Sequence, residues 1–365
     1  MSLPAERRFA IKVLALVPLL VLLIGVNYRI DPSHVFHAGA YESAVARVLL
    51  AGSNVGDYDA GGDRLVERSY IAGMVRPHQI AVMGSSRMMQ LTSIEFPGQR
   101  LFNHSVFGAT VQDEVALYAM LRRRSMAPSV LILGIDPWSF SADVNEGRWH
   151  PVWADYVDGA RLIGLGGRHL RRPWPSAQLA ELVSLRYFQA SVAEWWRSPS
   201  GHAARIPVPT DAWEGETLIR RADGSLAYGA ASRSYPPDVV RAGAIVTART
   251  SPYMDGAYQP LDHELQDVFE RFLSLLQRDG VRVILWRSPV HPALYDAFTA
   301  TEARRGRVAA LGEYLTRMAT ARGMSVAGSF NPSDYALGDA DFLDGLHPKE
   351  RVFAQIIRTA GVNVR

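Results

Sequence analysis

The chain has 365 residues, of which 48% are hydrophobic and 21% charged, a composition typical of a globular protein with one large domain and additions. Its net charge is +3 and its arginines are spread along the chain rather than clustered, so nucleic acid is not an expected partner. The absence of cysteine excludes thiol catalysis, disulfides and cysteine-based metal sites, and we expect no metal or other cofactor.

An apolar run near the N-terminus predicts a membrane anchor. Residues 9–26 are apolar apart from Lys12, which is close to the roughly 20 residues that a helix needs to cross a bilayer. Two arginines precede the run, and positive charge on this flank favours a cytoplasmic N-terminus. A cleaved signal peptide would share these features, but no small-residue cleavage site follows Val26. We therefore expect residues 1–30 to be a single-pass signal anchor of the inner (cytoplasmic) membrane, with the body on the periplasmic side.

The segment that follows, residues 31–78, is mixed in composition and is interpreted as a membrane-proximal connector. The apolar run Ile80–Met83 then predicts a buried parallel strand that leads directly into Gly84-Ser85-Ser86-Arg87. Ligands of open α/β sheets bind outside the carboxyl ends of the strands. The sequence therefore places a serine pair where it is presented to a substrate.

Apolar runs of strand length recur on both sides of a long interruption. They lie at residues 80–83, 100–106, 129–134, 281–286 and 324–326. Residues 111–124 have apolar side chains at helical spacing, and a strand–helix–strand unit implies a right-handed crossover and a parallel sheet. We predict one α/β domain with a parallel sheet, formed by residues 79–142 and 261–365, and a closing helix that begins at Pro348.

The interruption, residues 143–260, shows no regular alternation of strands and helices and is interpreted as an insertion or cap over the strand ends. It carries six of the eight tryptophans, which either fill the core of this region or form aromatic platforms for a sugar or acyl substrate. Residues 184–196 predict an amphipathic helix. Residues 218–228 predict a hairpin that turns at Asp-Gly.

Asp344 and His347 near the C-terminus supply the partners that a serine nucleophile requires. Their three-residue spacing lets the carboxylate orient the imidazole, which then serves as the general base for Ser86. Ser86, His347 and Asp344 therefore form a candidate catalytic triad of a hydrolase or acyltransferase. A second histidine, His291, lies between two prolines after another predicted strand and is either a rigid loop residue or a substrate-facing one.

These segments together resemble the SGNH (GDSL-like) hydrolase superfamily. The matching positions are, in chain order, Gly84-Ser85-Ser86, Asn103 with Gly108, and Asp344 with His347. The resemblance implies a flavodoxin-like three-layer α/β/α fold, with Ser86 as the nucleophile, Ser85 in the position of the family aspartate and the Gly108 N–H as an oxyanion donor. The Gly-x-Ser-x-Gly signal of α/β-hydrolases is absent at the serine.

The third family block, Gly-x-Asn-Asp, is altered here. The chain has Gly134-Ile135-Asp136, so Asp136 replaces the asparagine whose side chain donates to the oxyanion. An ionised carboxylate would repel the developing charge, and the loss of one donor costs roughly 10²–10³ in rate. Either Asp136 points elsewhere, or it is protonated, or the hole uses other donors: the N–H groups of Ser86 and Gly108, and Arg87.

Among anchored members, the arrangement is similar to the D-alanyl transfer protein of teichoic-acid modification and to accessory acetyltransferases of exopolysaccharide systems. That resemblance implies a serine O-acyltransferase or esterase that acts on acyl groups of a cell-envelope glycan or exopolysaccharide. The expected partners are this polymer and a membrane-bound O-acyltransferase. The competing interpretation is a non-catalytic SGNH-like scaffold or binding protein of such a system, because the third block is altered and the insertion is large.

Overall fold

The fold is known from a computed structural model, which describes residues 5–31, 36, 39–142, 144, 147–171, 176–197, 206–251, 253–254, 260–362 and 364. Its strands are β1 (Asn54–Gly56), β2 (Ile80–Met83), β3 (Leu101–Asn103), β4 (Val130–Ile135), β5 (Val208–Thr210), β6 (Ile219–Arg220), β7 (Leu226–Ala227), β8 (Arg282–Arg287) and β9 (Ser325–Gly328). Five of them form a parallel sheet in the order β3-β2-β4-β8-β9. The predicted α/β class and parallel sheet are confirmed.

Helices connect these strands. They are α1 (Ala5–Ile30), α2 (Ala40–Leu50), α3 (Asp63–Gly73), α4 (Val111–Arg123), α5 (Trp153–Leu162), α6 (Ser176–Leu182), α7 (Leu185–Arg197), α8 (Ala230–Arg233), α9 (Pro237–Thr250), α10 (His263–Arg278), α11 (Pro292–Phe298), α12 (Glu302–Ala321) and α13 (Glu350–Ala360). Short 3₁₀ turns occur at Ala60–Gly62, Ser93–Glu95, His150–Val152, Gly167–Leu170, Pro332–Tyr335 and Asp339–Asp341.

The parallel sheet is covered on both faces, because successive side chains of a strand point to opposite sides. In β4, Leu131 and Leu133 pack into one apolar cluster with residues of α4, α10 and α12. Val130 and Ile132 alternate with them and pack into a second cluster with residues of α13. These four β4 side chains are at most 4% exposed, and their burial on opposite faces fixes the register of the strand.

The order of the strands identifies the edge of the sheet where a ligand would bind. Counted by appearance in the chain, the strands lie in the order 2-1-3-4-5, a common order of doubly wound sheets. The order reverses between β2 and β4, and the crevice outside the carboxyl ends of these two strands is the usual ligand site. Ser86 follows β2 and Asp136 follows β4, so both stand at this crevice.

Two glycines allow β2 and β4 to approach closely there. Gly84 has a φ of +151°, and a Cβ on it would lie 3.1 Å from the Gly134 Cα. A Cβ on Gly134 would lie 2.2 Å from the Met88 Cγ. Side chains at either position would therefore push the turn that carries Ser86 away from the end of β4.

The capping chemistry of α4 places it directly after the Gly108 loop. Thr110 accepts a hydrogen bond from the Asp113 N–H, and the Asp113 carboxylate accepts one from the Thr110 N–H at 2.9 Å. This reciprocal pair satisfies two backbone donors at the start of the helix. The predicted helix over residues 111–124 is thus confirmed, with its beginning fixed beside the candidate site.

The second sheet is antiparallel and connects the insertion to the segment predicted as a connector. Its order is β5-β1-β6-β7, so β1 from residues 31–78 pairs with strands of residues 143–260. The predicted hairpin is confirmed: Ile219 pairs with Ala227 across the β6–β7 turn. The predicted amphipathic helix is α7.

The hairpin packs directly on the turn that carries Ser86. The Asn103 N–H donates to the Asp223 carbonyl at 2.8 Å, and the Leu226 N–H donates to the Met89 carbonyl at 2.7 Å. Gly224 at the turn has a φ of +79°, and a Cβ there would lie 2.4 Å from the Asn103 carbonyl oxygen. Glycine is therefore required for this close docking.

The prediction that the closing helix begins at Pro348 is wrong, because α13 begins at Glu350. Pro348 instead forms an isolated antiparallel bridge with Phe342, and its carbonyl accepts a hydrogen bond from the Gln90 side chain. These contacts hold Pro348 in an extended conformation, so the helix starts two residues later.

Within the described part of the chain, no helix is both long and apolar enough to cross a membrane. The predicted transmembrane helix therefore has no support from this finding and stays a prediction. Trp174 and the side chains of residues 5–13 and 15 lie outside the described residues.

Candidate active site

The turn after β2 exposes one side chain. Between Gly84 and Gln90 only Ser86 is partly exposed, while its neighbours Ser85 and Arg87 are buried. Ser85 Oγ accepts a hydrogen bond from the Arg87 N–H at 3.3 Å, which helps to close the turn. The turn therefore exposes the Ser86 side chain, whereas the Ser85 side chain forms a hydrogen bond within the turn.

Asn103 stabilises this turn through buried hydrogen bonds. The side chain is completely buried, and its Nδ2 donates to the carbonyls of Met88 at 2.8 Å and Leu91 at 2.9 Å. Its Oδ1 accepts from the Ser105 N–H at 3.0 Å. Asn103 therefore positions the turn that carries Ser86, and its buried side chain is not placed to contact a substrate.

Ser86, His347 and Asp344 are brought together although Ser86 and His347 are far apart in the sequence. Ser86 Oγ lies 2.9 Å from His347 Nε2. His347 Nδ1 lies 2.8 Å from Asp344 Oδ2 and 3.0 Å from Oδ1. With Nδ1 donating to the carboxylate, Nε2 is left as the acceptor for the serine proton, which is the arrangement that a serine nucleophile needs.

The environment of Asp344 keeps its carboxylate charged. Burial alone would raise its pKa, but the nearby His347 and the hydrogen bonds that Asp344 accepts lower it to about 2. Two of these bonds come from the N–H groups of Leu346 and His347, at 2.7 and 2.9 Å. The Asp344 side chain is 47% exposed and that of His347 14%, so the site opens to solvent on the Asp344 side.

The N–H groups of Ser86 and Gly108 are the candidate donors to an oxyanion. Among the described residues, neither the Ser86 N–H nor the Gly108 N–H donates a hydrogen bond. Gly108 has a φ of +57°, a left-handed conformation in which glycine carries no steric penalty. Preorganised N–H groups of this kind stabilise the charge of a tetrahedral intermediate.

The Gly108 loop is held by two residues of α3, which the sequence analysis did not identify as part of the site. Asp63 accepts a hydrogen bond from the Phe107 N–H, and Arg64 donates to the Phe107 carbonyl at 3.1 Å. Arg64 is also paired with the buried carboxylate of Asp113 at 2.7 Å. The first turn of α3, which lies within the segment predicted as a connector, thus fixes the peptide that precedes the proposed oxyanion donor.

Asp136 points toward Arg87. Its Oδ1 accepts from Arg87 Nη1 at 2.9 Å, and both side chains are buried. The other guanidinium nitrogens donate to backbone carbonyls of two further loops, Nε to Leu346 at 3.0 Å and Nη2 to Pro289 at 2.8 Å. Arg87 therefore joins the Ser86 turn to the end of β4, to the loop after β8 and to the loop that carries His347.

His291 is buried and does not contact the triad through its side chain. Its Nδ1 accepts from the Ala293 N–H at 3.1 Å as the N-cap of α11, and its Nε2 lies 3.1 Å from Asp339 Oδ1. Burial lowers its pKa, and the Asp339 charge opposes this shift. The His291 N–H donates to the Gly345 carbonyl at 3.1 Å, so this residue supports the Asp344–His347 loop through its backbone.

Tyr228, at the end of the hairpin, is a site residue that the sequence analysis missed. Its ring centre lies 5.5 Å from that of His347. The Tyr228 hydroxyl is buried and has no hydrogen-bond partner among the described residues. Burial raises its pKa, and the Asp344 charge raises it further, so the phenol stays protonated and can donate. The sequence predicted the hairpin, but no local pattern indicated the contact of Tyr228 with His347.

A cleft adjoins the Gly108 loop on the side of β4. Its lining includes small, apolar and aromatic residues: Ala109, Thr110, Trp138, Ser139, Trp149 and Leu265. The Trp138 ring centre also lies 5.4 Å from the Arg87 guanidinium carbon, so the cleft borders the side chain of the residue after Ser86. Within the described ranges, no three His, Asp or Glu side chains are grouped as a metal site would require.

The chain matches no protein-family model and no curated protein. The resemblance to SGNH hydrolases therefore depends on the residues themselves and on the geometry described above.

Proposed function

We propose that this protein is a serine esterase or O-acyltransferase with Ser86 as the nucleophile, His347 as the general base and Asp344 as the residue that orients the histidine. The observation that carries this proposal is the continuous set of contacts from Ser86 Oγ through His347 to Asp344. The N–H groups of Ser86 and Gly108, which have no acceptor within the described part of the chain, support it. A purely structural serine would require neither feature.

In the first half of the reaction, Ser86 Oγ attacks the carbonyl carbon of an acyl ester while its proton passes to His347 Nε2. The carbonyl electrons move to oxygen, which accepts hydrogen bonds from the Ser86 and Gly108 N–H groups. The Asp344 carboxylate stabilises the imidazolium. Collapse of the intermediate breaks the bond to the alcohol, which takes the proton from His347 and leaves an acyl-Ser86 ester.

In the second half, a hydroxyl group of the acceptor gives its proton to His347 Nε2 and attacks the acyl carbon. Ser86 Oγ departs and is reprotonated by His347, which restores the free site. With a sugar hydroxyl as acceptor the product is a new ester, and with water it is a carboxylic acid. The two outcomes use the same residues and differ in how well water is excluded.

The proposal also includes an SGNH-like fold, a location in the membrane and a set of partners. The strand order is that of flavodoxin-like sheets, and the order of Ser86, Gly108 and Asp344 with His347 follows the SGNH pattern. The side chains of Leu16, Leu19 and Leu22 in α1 are exposed, which favours a lipid environment for this helix. We accordingly assign the protein to the inner membrane with its body outside the cytoplasm, beside an exported glycan and a membrane-bound O-acyltransferase.

One observation favours a second function, that of a non-catalytic scaffold. Asp136 is paired with Arg87 and supplies no donor in place of the family asparagine, so an oxyanion would have two backbone donors. A missing donor lowers the rate of such sites by roughly 10²–10³. A scaffold would keep the fold and the glycan contacts while Ser86 remained unreactive.

Labelling with a fluorophosphonate serine probe tests the proposal. We expect covalent labelling of the wild-type protein and none of Ser86→Ala, with labelling of His347→Ala strongly slowed. Ser85→Ala is the matched control, since it removes the neighbouring, buried hydroxyl. An unreactive wild-type protein would support the scaffold instead. Equal labelling of Ser86→Ala would show that the probe reacts at another residue and would contradict the assignment of Ser86.

A further inference from the structure

One buried side chain near the C-terminal end of α1 is hydrogen-bonded to the helical hairpin α6–α7. Asn27 immediately follows the apolar run and is completely buried. Its Nδ2 donates to three carbonyls at the turn between α6 and α7, those of Glu181 and Leu182 at 3.0 Å and that of Ser184 at 3.1 Å. These bonds fix the position of the hairpin relative to α1.

Two further hydrogen bonds give the direction of α7. The Tyr187 hydroxyl donates to Asp31 Oδ1 at 2.7 Å, and one turn later the Ser191 hydroxyl donates to Asn27 Oδ1 at 3.3 Å. As α7 advances by four residues, its partner on α1 recedes by four, so the helices are antiparallel. The next turn, about 6 Å further, brings Trp195 to the level of Leu23.

The end of α7 is apolar and exposed at that level. Trp195 is 45% and Trp196 75% exposed. The neighbouring turns of α1 expose Leu19, Leu20 and Leu22. The two tryptophans therefore do not fill the core of the insertion. They lie beside the exposed apolar surface of α1 and enlarge it. The polar residues Asn27 and Asp31 lie one to two helix turns further toward the C-terminal end of α1.

We propose that the C-terminal end of α7 inserts Trp195 and Trp196 into the interface of the bilayer that α1 enters. This inference rests on the proposed anchoring by α1. Tryptophan is enriched at membrane interfaces because its ring is apolar while its N–H can bond to headgroups or water. A depth of about one helix turn below Asn27 is within the 5–10 Å typical of interfacial helices.

The consequence is a second membrane contact that fixes the orientation of the body. A single helix leaves a body free to rotate about it. Because the hairpin is hydrogen-bonded to Asn27 of α1 and to Asp31 directly after α1, contact of α7 with the same bilayer would hold the body, with its candidate active site, at a constant height above the membrane.

The test uses the full chain in nanodiscs with and without lipids brominated near the headgroup, and tryptophan fluorescence as the readout. We expect quenching of the wild-type protein and loss of most of this quenching in the Trp195→Phe/Trp196→Phe variant. The matched control is Trp153→Phe/Trp213→Phe, which also removes two partly exposed tryptophans of the insertion and should leave the quenching in place.

The outcomes separate the two proposals. If the protein incorporates and the Trp195/Trp196 variant is quenched as strongly as the wild type, the α7 contact is overturned while the anchor stands. If the full chain does not incorporate, both fall. Because the chain has no cysteine, Trp196→Cys also reports on a second copy as occupant: an efficient disulfide-linked dimer in nanodiscs would overturn the bilayer contact.

Discussion

Arg87 and Asp136 form a buried ion pair, with Arg87 Nη1 2.9 Å from Asp136 Oδ1, between the Ser86 turn and the end of β4. Asp136, at the position where the resemblance to SGNH hydrolases would place an asparagine, is therefore paired with the residue that follows Ser86. Arg87 in turn donates to the Leu346 carbonyl, immediately before His347. The pair thus links the turn that carries Ser86 to the loop that carries His347, which gives Asp136 a positional role.

Asp136→Asn is expected to lower activity rather than to restore an oxyanion donor. The substitution leaves the buried Arg87 charge without its counter-ion, which costs stability, about 3 kcal/mol. A shift of the turn by about 1 Å lowers the rate of an ester assay by roughly 10²-fold. Urea unfolding and aryl-ester hydrolysis measure the two effects.

Asp158→Asn is the control, because Asp158 pairs with Arg123 at the surface and its loss should change stability by less than about 1 kcal/mol. Faster hydrolysis by Asp136→Asn than by the wild type would show that residue 136 faces the oxyanion and that the positional role is wrong.

Tyr228→Phe tests whether the hydroxyl beside His347 binds the substrate. Because this hydroxyl has no partner among the described residues, its removal should leave the free energy of unfolding unchanged or slightly higher. Loss of one hydrogen bond to the substrate would lower kcat/KM for ester hydrolysis by about tenfold. Reaction of Ser86 with a fluorophosphonate should stay near the wild-type rate, since the triad contacts are intact.

Tyr58→Phe is the matched control, as the Tyr58 hydroxyl is also buried and unpartnered within the described structure but lies beside Arg220. Equal kcat/KM values for Tyr228→Phe and the wild type would remove Tyr228 from the substrate site.

We expect the folded protein to lose stability in mild acid because of His78. Burial is the largest cause that lowers the pKa of His78 from the ordinary 6.5 to about 4. Between these values the unfolded chain binds a proton that the folded protein excludes, so the His78 contribution is complete above pH 6.5 and is lost as the pH falls toward 4. The maximum effect of this shift is about 3 kcal/mol.

Urea unfolding of the wild type and of His78→Gln between pH 8 and pH 4.5 measures this contribution. Glutamine can keep a hydrogen bond to the Tyr70 hydroxyl, which lies 3.0 Å from His78 Nε2. We expect parallel behaviour above pH 7 and a steeper decline of the wild type below it. Identical slopes at all pH values would contradict the shifted histidine.

Local sequence patterns predicted the parts of the fold and site that depend on near neighbours. The apolar runs of β2 and β4 and the three-residue spacing of Asp344 and His347 are properties of short segments, and the structure places them as expected. The contact of Ser86 with His347 spans most of the chain, and it was predicted from the order of motifs rather than from the physics of either segment.

The residues that the sequence did not reveal act through long-range contacts. Arg64 holds the Phe107 carbonyl from α3, and Tyr228 reaches His347 from the insertion, so neither has a local signal. The direction of Asp136 depended on Arg87, a partner in another strand-end turn. Pro348 is compatible with a helix start by itself, and the bridge to Phe342 overrides that preference.

The most direct test of the central claim is to trap the acyl intermediate. The protein is mixed with an activated aryl acetate, quenched in acid within seconds and digested, and the peptide that contains Ser85 and Ser86 is examined by tandem mass spectrometry. We predict an acetyl group on Ser86 in the wild type and in Ser85→Ala, and none in Ser86→Ala. An unmodified peptide under conditions where the ester is hydrolysed, or an acetyl group that persists in Ser86→Ala, would contradict the assignment of Ser86 as the nucleophile.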